Sequence, residues 1–414
     1  MVSKALNLHA EEFQKGACAA VSQKTVDSPA GTVVMVDDTQ KALLQIAGAY
    51  RRLFDIPVVG ITGSVGKTST KEMVYAVLSE QYKTHKNEGN LNNQIGMPMS
   101  VFGIGQDCEA AIFEMGMNSF GEISNLSKVA VPDIAIITNI GISHIEMLGS
   151  RENIRKAKLE ILDGMKRDST LIINGDDEML SNISGRVGVK TMTYGVVNHA
   201  CDAVADNILI NENGTRFSII YRGECIPASV PAIGMHHVYN ALAAFLAGVG
   251  LGMRPETAAA GMKNYKTAGM RQKIVKRFGM TFIEDCYNAS PASMSAAFEV
   301  LKVVGENRRI AVLADMLELG ASARQAHLDV GKEAAESGVD ILFCYGDNAV
   351  FYCEGYHSAQ KAGGKCMHFD SGKAVGDALS AILRPGDTVL FKGSLRMNLE
   401  QTVAGIYQLL KGGN

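Results

Sequence analysis

Much is missing from this 414-residue sequence, and each absence narrows what the chain can be. It carries no excess of positive charge: 40 Lys and Arg face 43 Asp and Glu, for a formal net charge of −3. Binding a nucleic-acid backbone needs many cations to displace counterions, so no nucleic-acid partner is expected. Small anionic substrates remain open, because a few placed Lys and Arg suffice for them. None of the eight cysteines (Cys18, Cys108, Cys201, Cys225, Cys286, Cys344, Cys353 and Cys366) forms a C-x-x-C pair, and no histidines gather beside them. A zinc site is therefore not expected, and scattered cysteines read as the reduced thiols of a cytosolic enzyme. The opening MVSKALNLHAEEFQKGA lacks the apolar core of a secretory leader. The most apolar stretch, Ala241–Met253, is too short and too glycine-rich to span a membrane. Neither an internal repeat nor a low-complexity tract is present. A soluble cytoplasmic protein without membrane insertion is expected.

What is present points to an α/β enzyme of more than one domain. Apolar residues make up 47% of the chain and charged residues 20%, and 414 residues exceed one compact core. Short apolar runs alternate with amphipathic stretches, the pattern of β-α-β units around parallel sheets. Strands are expected at Ile56–Thr62, Ala110–Glu114, Asp133–Asn139 and Thr170–Asn174, with helices near Lys67–Glu80, Ser150–Met165 and Val238–Leu251. Asp202–Pro227 alternates in shorter segments around Asn213–Gly214, which predicts an antiparallel hairpin at the sheet edge. Past a boundary near Asn264–Met270, strands at Thr281–Asp285, Arg309–Ala314, Asp340–Tyr345 and Asp387–Lys392 predict a second doubly wound domain. The expected division is 1–52 (a partial N-terminal α/β segment), 53–268 (a central parallel-sheet domain with a phosphate loop) and 269–414 (a Rossmann-like C-terminal domain).

The segment ITGSVGKTST, Ile61–Thr70, carries the strongest chemistry. Gly63 and Gly66 let the backbone through Ser64 and Val65 curl so that N–H groups face phosphate oxygens. Lys67 adds a point charge, the Thr68 hydroxyl suits magnesium, and the helix opening at Lys67, Thr68 and Ser69 turns its positive end to the anion. Ile61 stands where the strict G-x-x-x-x-G-K-[ST] pattern has its first glycine, and an ordinary strand-to-helix turn is the plain alternative. Glu114 and His144 each follow a strand, where ligands of open α/β sheets gather and a divalent metal on a nucleotide could be held. Each could equally be a cap or surface residue. Lys158 shares a helix face with Ile154, Ile161 and Leu162, so it is either a snorkelling lysine or an active-site amine. Further on, Asp285 at a strand end suits a ribose hydroxyl, and Arg271 precedes that strand. Asn288, Ser290 and Pro291 read either as part of the site or as a plain helix start. Lys392 could bind an anion or mark an exposed loop.

Together these segments resemble the Mur ligase family. The resemblance runs from about His9 to the C-terminus and rests on ITGSVGKTST, NLNNQIGMP (Asn90–Pro98), EMG (Glu114–Gly116), TNIGISHIEMLGS (Thr138–Ser150) and AKLEI (Ala157–Ile161). It continues in INGDD (Ile173–Asp177), GMHHVYNALAA (Gly234–Ala244), EDCYNASPASM (Glu284–Met294), LADMLELG (Leu313–Gly320) and FKGSLRMNLE (Phe391–Glu400). It implies an ATP-dependent ligase of peptidoglycan synthesis that works through an acyl phosphate, most similar to the branch joining D-alanyl-D-alanine to UDP-N-acetylmuramoyl-tripeptide. It also implies two Mg2+ ions and a monomer. By likeness, Lys67 and Thr68 hold phosphates and one magnesium, Glu114 and His144 are metal ligands, and Lys158 is a lysine the family carbamylates. Asn240 lies on the adenine side, Arg271 contacts phosphate and Asp285 binds ribose. A folylpolyglutamate-type or other peptide ligase, or a nucleotide-binding relic, are the alternatives. His237 stands where the family has Asn, Ala314 replaces a common Gly, and Leu8–Arg52 matches only the last part of the UDP-binding domain.

Overall fold

The computed structural model describes residues 13–25, 31–183, 185, 187–359 and 363–412. Three sheets organise them. Strands β1 (Ala19–Ser22) and β2 (Thr32–Met35) pair in parallel as a small leading sheet. The central sheet has nine strands: β3 (Val58–Thr62), β4 (Thr84–Lys86), β5 (Ala110–Glu114), β6 (Ile134–Ile137), β7 (Thr170–Asn174), β8 (Lys190–Gly195), β9 (Ala203–Asn211), β10 (Gly214–Tyr221) and β11 (Glu224–Val230). Their spatial order is β11-β10-β9-β8-β7-β6-β3-β5-β4. From β4 to β9 every pairing is parallel; β9, β10 and β11 form an antiparallel meander at one edge. The expected hairpin is thus present, and it extends one strand further, to Val230.

The third sheet holds β12 (Lys273–Arg277), β13 (Met280–Asp285), β14 (Arg309–Ala314), β15 (Ile341–Tyr345), β16 (Lys365–Phe369) and β17 (Thr388–Lys392), in the order β12-β13-β17-β14-β15-β16. Only the β12–β13 pair is antiparallel. Central strands such as β3, β5, β6, β15 and β17 are buried throughout, as strands covered by helices on both faces must be. Helix Met235–Gly250 is buried along most of its length and fills one face of the nine-stranded sheet. The region read as one helix over Ser150–Met165 divides into an α-helix, Arg151–Leu159, and a 3-10 turn, Glu160–Gly164. Gly164 lies so close to the Ser127 carbonyl that a Cβ there would clash with it. No helix among the described residues is long and apolar enough to cross a membrane.

Two sequence expectations need correction: that Phe13, Val33, Val34, Val36, Leu43, Leu44 and Ile46 bury the leading segment against the central unit, and that the cysteines are separate reduced thiols. Helix Thr39–Arg51 docks on the central unit, burying Ala42, Ala47, Gly48 and Arg51. The Arg51 guanidinium caps the carbonyls of Phe54, Ile56 and Ala130. Val34 and Met35, however, stay about half exposed, because a two-stranded ribbon has a second face that no described layer covers, and Ile46 on the helix is about half exposed as well. The picture of separate reduced thiols also fails in the third sheet. Cys353 and Cys366 form a disulfide, with the Cys344 sulfur 3.5 Å from that of Cys353. Sequence spacing hid this cluster, since its members come from β15, a helix and β16.

Candidate active site

The phosphate-loop segment takes the shape its glycines allow. Gly63 has φ +151 and Gly66 φ +87, and a Cβ on Gly63 would lie 1.8 Å from the Thr138 hydroxyl. Only glycine fits that position. The loop is clamped from the neighbouring strand: Thr138 Oγ1 donates to the Val65 carbonyl, while Asn139 accepts from Val65 N–H and donates back to its carbonyl. The Gly141 N–H donates to Ser64 Oγ at 2.9 Å. Helix Lys67–Leu78 begins directly after this loop, with its unpaired N–H groups pointing the same way. Lys67 Nζ curls back to the Gly63 carbonyl at 2.8 Å. Burial lowers its pKa, Glu114 opposing and Arg271 reinforcing that shift.

Glu114 ends β5 and is 2% exposed. Its Oε2 accepts from Thr68 Oγ1 at 2.7 Å and its Oε1 from Asn92 Nδ2 at 2.7 Å. Behind it lies Lys71, which sequence reading passed over. This lysine is fully buried, donates to the Asn87 carbonyl at 2.7 Å and lies 3.7 Å from Glu114 Oε2. Asn87 in turn holds the Glu114 backbone by both its amide groups. A signal existed in the sequence: Lys71 follows Lys67 by four residues, one helical turn, on a helix whose face is otherwise apolar.

His144 and Lys158 reach the same cavity. His144 sits at φ +64 and its Nδ1 lies 2.8 Å from Glu318 Oε2, close enough for an ion pair although not aligned as a hydrogen bond. Burial lowers its pKa, as does Lys67, against the opposing pull of Glu318. The neutral form of the ring, which burial favours, can offer a lone pair. Lys158 is 1% exposed, lines the cavity and has no hydrogen-bond partner among the described residues. Burial, with Lys67 nearby, depresses its pKa well below the lysine range. This is not a snorkelling lysine, because its amine is inside.

The opposite wall belongs to the six-stranded sheet. Arg271 stacks on the Tyr287 ring at 4.0 Å. Asp285, the last residue of β13, pairs with Lys392, the last of β17, at 2.6 Å. Lys392 is 2% exposed, so the exposed-loop reading of it is excluded. Asn240 lies across the phosphate loop, accepting from Thr70 Oγ1 at 3.0 Å and leaving its buried Nδ2 without a partner among the described residues. His237 does not stand alone: the Nε2 atoms of His236 and His237 both approach Gln272 Oε1, at 3.1 and 2.9 Å. A carbonyl oxygen only accepts, so this contact puts a proton on both Nε2 atoms and leaves the buried Nδ1 atoms without a hydrogen-bond partner among the described residues. Burial holds the pKa of His236 down at about 4, and burial with the His236 contact holds His237 well below the usual range. Neither His236 nor Gln272 was singled out in the sequence.

The residues expected at the site line one cavity of about 490 Å3 between the two larger sheets, except Gly63 and Pro291. The wall of lysines, arginine and inward backbone N–H groups suits a polyphosphate, while Thr68, Glu114 and His144 offer hard oxygen and imidazole donors.

Comparisons with known proteins agree with this geometry. The chain matches the Mur ligase middle domain over residues 61–248 and the Mur ligase, glutamate ligase domain over residues 270–395. It is 40% identical over 402 residues to the UDP-N-acetylmuramoyl-tripeptide–D-alanyl-D-alanine ligase of Bacillus subtilis (strain 168), covering 96% of this chain and 86% of that one. It is 31% identical over 379 residues to the Escherichia coli (strain K12) ligase of the same name, covering 91% and 82%. Among solved structures it is similar to MurF from Acinetobacter baumannii, with TM-score 0.89 and 30% identity over 98% of this chain and 88% of that one. MurF from Thermotoga maritima in complex with ADP aligns with TM-score 0.86 and 25% identity, over 99% and 92%. This chain belongs to the Mur ligase family.

Proposed function

We propose that the chain is an ATP-dependent amide ligase that joins D-alanyl-D-alanine to UDP-N-acetylmuramoyl-tripeptide in cytoplasmic peptidoglycan precursor synthesis, acting as a monomer. The observation that carries this reading is the single cavity in which Lys67, Glu114, His144 and Lys158 of one sheet face Arg271, Asp285 and Lys392 of another. A division at residues 1–52, 53–268 and 269–414 follows, with the cleft between the last two.

In the first half-reaction a carboxylate oxygen of the tripeptide attacks the γ-phosphorus of ATP, the bond to the β,γ-bridging oxygen breaks, and ADP leaves. In the second, the amine of the dipeptide attacks the acyl carbon and phosphate departs as the amide forms, with one amine proton lost. Such chemistry asks the protein for positioning and positive charge rather than a nucleophile. Lys67 and the loop N–H groups hold the β- and γ-phosphates, Arg271 meets charge from the other wall, and Asp285 faces the ribose. Asn240 stands on the adenine side. The donor set fits Mg2+: Thr68 and Glu114 already share an oxygen-rich contact, His144 lines the same cavity, and the Lys158 amine becomes an oxygen donor if carbamylated. The ions would neutralise charge between the phosphates and the attacking carboxylate. Closure of the two sheet units excludes water from the acyl phosphate.

The test is phosphate release from ATP with each substrate omitted in turn. Release that needs both the UDP-tripeptide and D-alanyl-D-alanine supports the assignment; release indifferent to the dipeptide rejects it.

A further inference from the structure

We propose that Glu318 is a positioning residue for His144, brought across the cleft by the six-stranded unit, so that tight cation binding at His144 requires the two units to be docked. This rests on the metal-ligand reading of His144 given above.

The contact joins two separate parts of the fold. His144 lies in the loop after β6 of the nine-stranded sheet, and Glu318 in the loop after β14 of the six-stranded sheet. Both residues have φ +64, a left-handed conformation that an L side chain adopts only where its surroundings enforce it. Two such residues facing each other at 2.8 Å across a domain boundary is a built arrangement rather than a surface encounter. The Glu318 loop is anchored from its own side. Met316 N–H donates to the buried His327 ring at 3.1 Å, and Leu317 N–H donates to Ser394 Oγ at 3.0 Å. Contact between the loops extends beyond the pair. Ile142 packs against the core of the six-stranded unit, and a Cβ on Gly320 would come within 3.3 Å of Glu146 Cβ.

The chemistry of the pair is specific. A carboxylate at Nδ1 favours the proton there and leaves the lone pair on Nε2, the nitrogen open to the cavity. Carboxylates that hold a ligating imidazole in this way fix its tautomer and ring angle, and removing one typically weakens metal binding by 10- to 100-fold. What is unusual here is that the orienting carboxylate belongs to the other half of the cleft. An undocked six-stranded unit would leave His144 free to turn and to change tautomer, so the ion would be held well only in the closed form.

Two measurements on the full chain test this. The first is the side-chain nitrogen correlation spectrum of His144 without metal. The wild type should show the Nδ1-protonated tautomer, Glu318→Ala should shift it toward the Nε2-protonated one, and Glu318→Gln, which keeps an acceptor, should stay close to wild type. The second is Mn2+ titration by electron paramagnetic resonance with a non-hydrolysable ATP analogue bound. Glu318→Ala should weaken Mn2+ about tenfold and Glu318→Gln less than about threefold, with unchanged melting temperature. An unmoved tautomer, or Mn2+ affinity unchanged or tighter in Glu318→Ala while His144→Ala weakens it, overturns the proposal alone. If His144→Ala leaves Mn2+ affinity intact, the ligand reading of His144 falls, and the role given to Glu318 falls with it.

Discussion

The two walls of the cleft are held by different means. On the nine-stranded side, the phosphate loop is fixed by glycine geometry and by short bonds from Thr138 and Asn139, all within one sheet. Its lysines sit there at some expense of stability, since burial lowers the pKa of both Lys67 and Lys158. On the six-stranded side, the same groups that face the cavity also hold the wall together. Asp285 is locked to Lys392 and Arg271 to Tyr287. Function and stability should therefore separate on the first wall and move together on the second.

The largest effect is expected at Lys67. Lys67→Ala removes a charge aimed at the developing phosphate without opening a core cavity. A loss of about a thousandfold in kcat/KM, roughly 4 kcal/mol, should accompany a melting temperature within a few degrees of wild type. Steady-state ligation and calorimetric melting on one preparation check both halves.

Lys158 separates the two properties further. Its folded pKa is depressed, so between that value and the ordinary range near 10.5 the unfolded chain binds more protons than the folded one. Stability therefore rises with pH across that window, and the cost of burying the amine is fully present below it. Lys158→Met should lose at least about a hundredfold in turnover yet melt higher at pH 7, with a flatter stability slope from pH 8 to 10. A mutant that is both active and less stable would contradict the buried-amine description.

Lys392→Met tests the other wall. It leaves Asp285 without its partner in a largely buried position and should cost about 2 kcal/mol in urea unfolding while also weakening ATP binding. Intact stability with lost binding would erase the contrast between the walls. The smallest effect is expected at Ser290, which starts helix Pro291–Val304 in a capping box with Ser293 at the cavity edge. Ser290→Ala should cost about 1 kcal/mol, read from the same unfolding curves.

What the sequence disclosed follows the same division. Buried strands such as Ala110–Glu114, Thr170–Asn174 and Arg309–Ala314 were legible because parallel strands covered on both faces are continuous apolar runs. Edge strands escaped notice. Lys273–Arg277 and Lys365–Phe369 are mostly exposed, and little in their pattern separates them from loops. Lys67, Thr68 and Glu114 announced themselves by a glycine-lysine-threonine turn and a strand end. Gln272 and Glu318 did not, because each meets a partner far along the chain: His236 and His144 respectively. The Cys344, Cys353 and Cys366 cluster was invisible for the same reason.

The most direct measurement follows oxygen from substrate to product. UDP-N-acetylmuramoyl-tripeptide labelled with oxygen-18 in its reacting carboxylate should pass one labelled oxygen to the inorganic phosphate at each ligation. That transfer is what a carboxylate attacking the γ-phosphorus in this cleft requires. Amide formation with unlabelled phosphate, or with the label in AMP, would contradict the acyl-phosphate route and the roles given to Lys67 and Arg271 along with it.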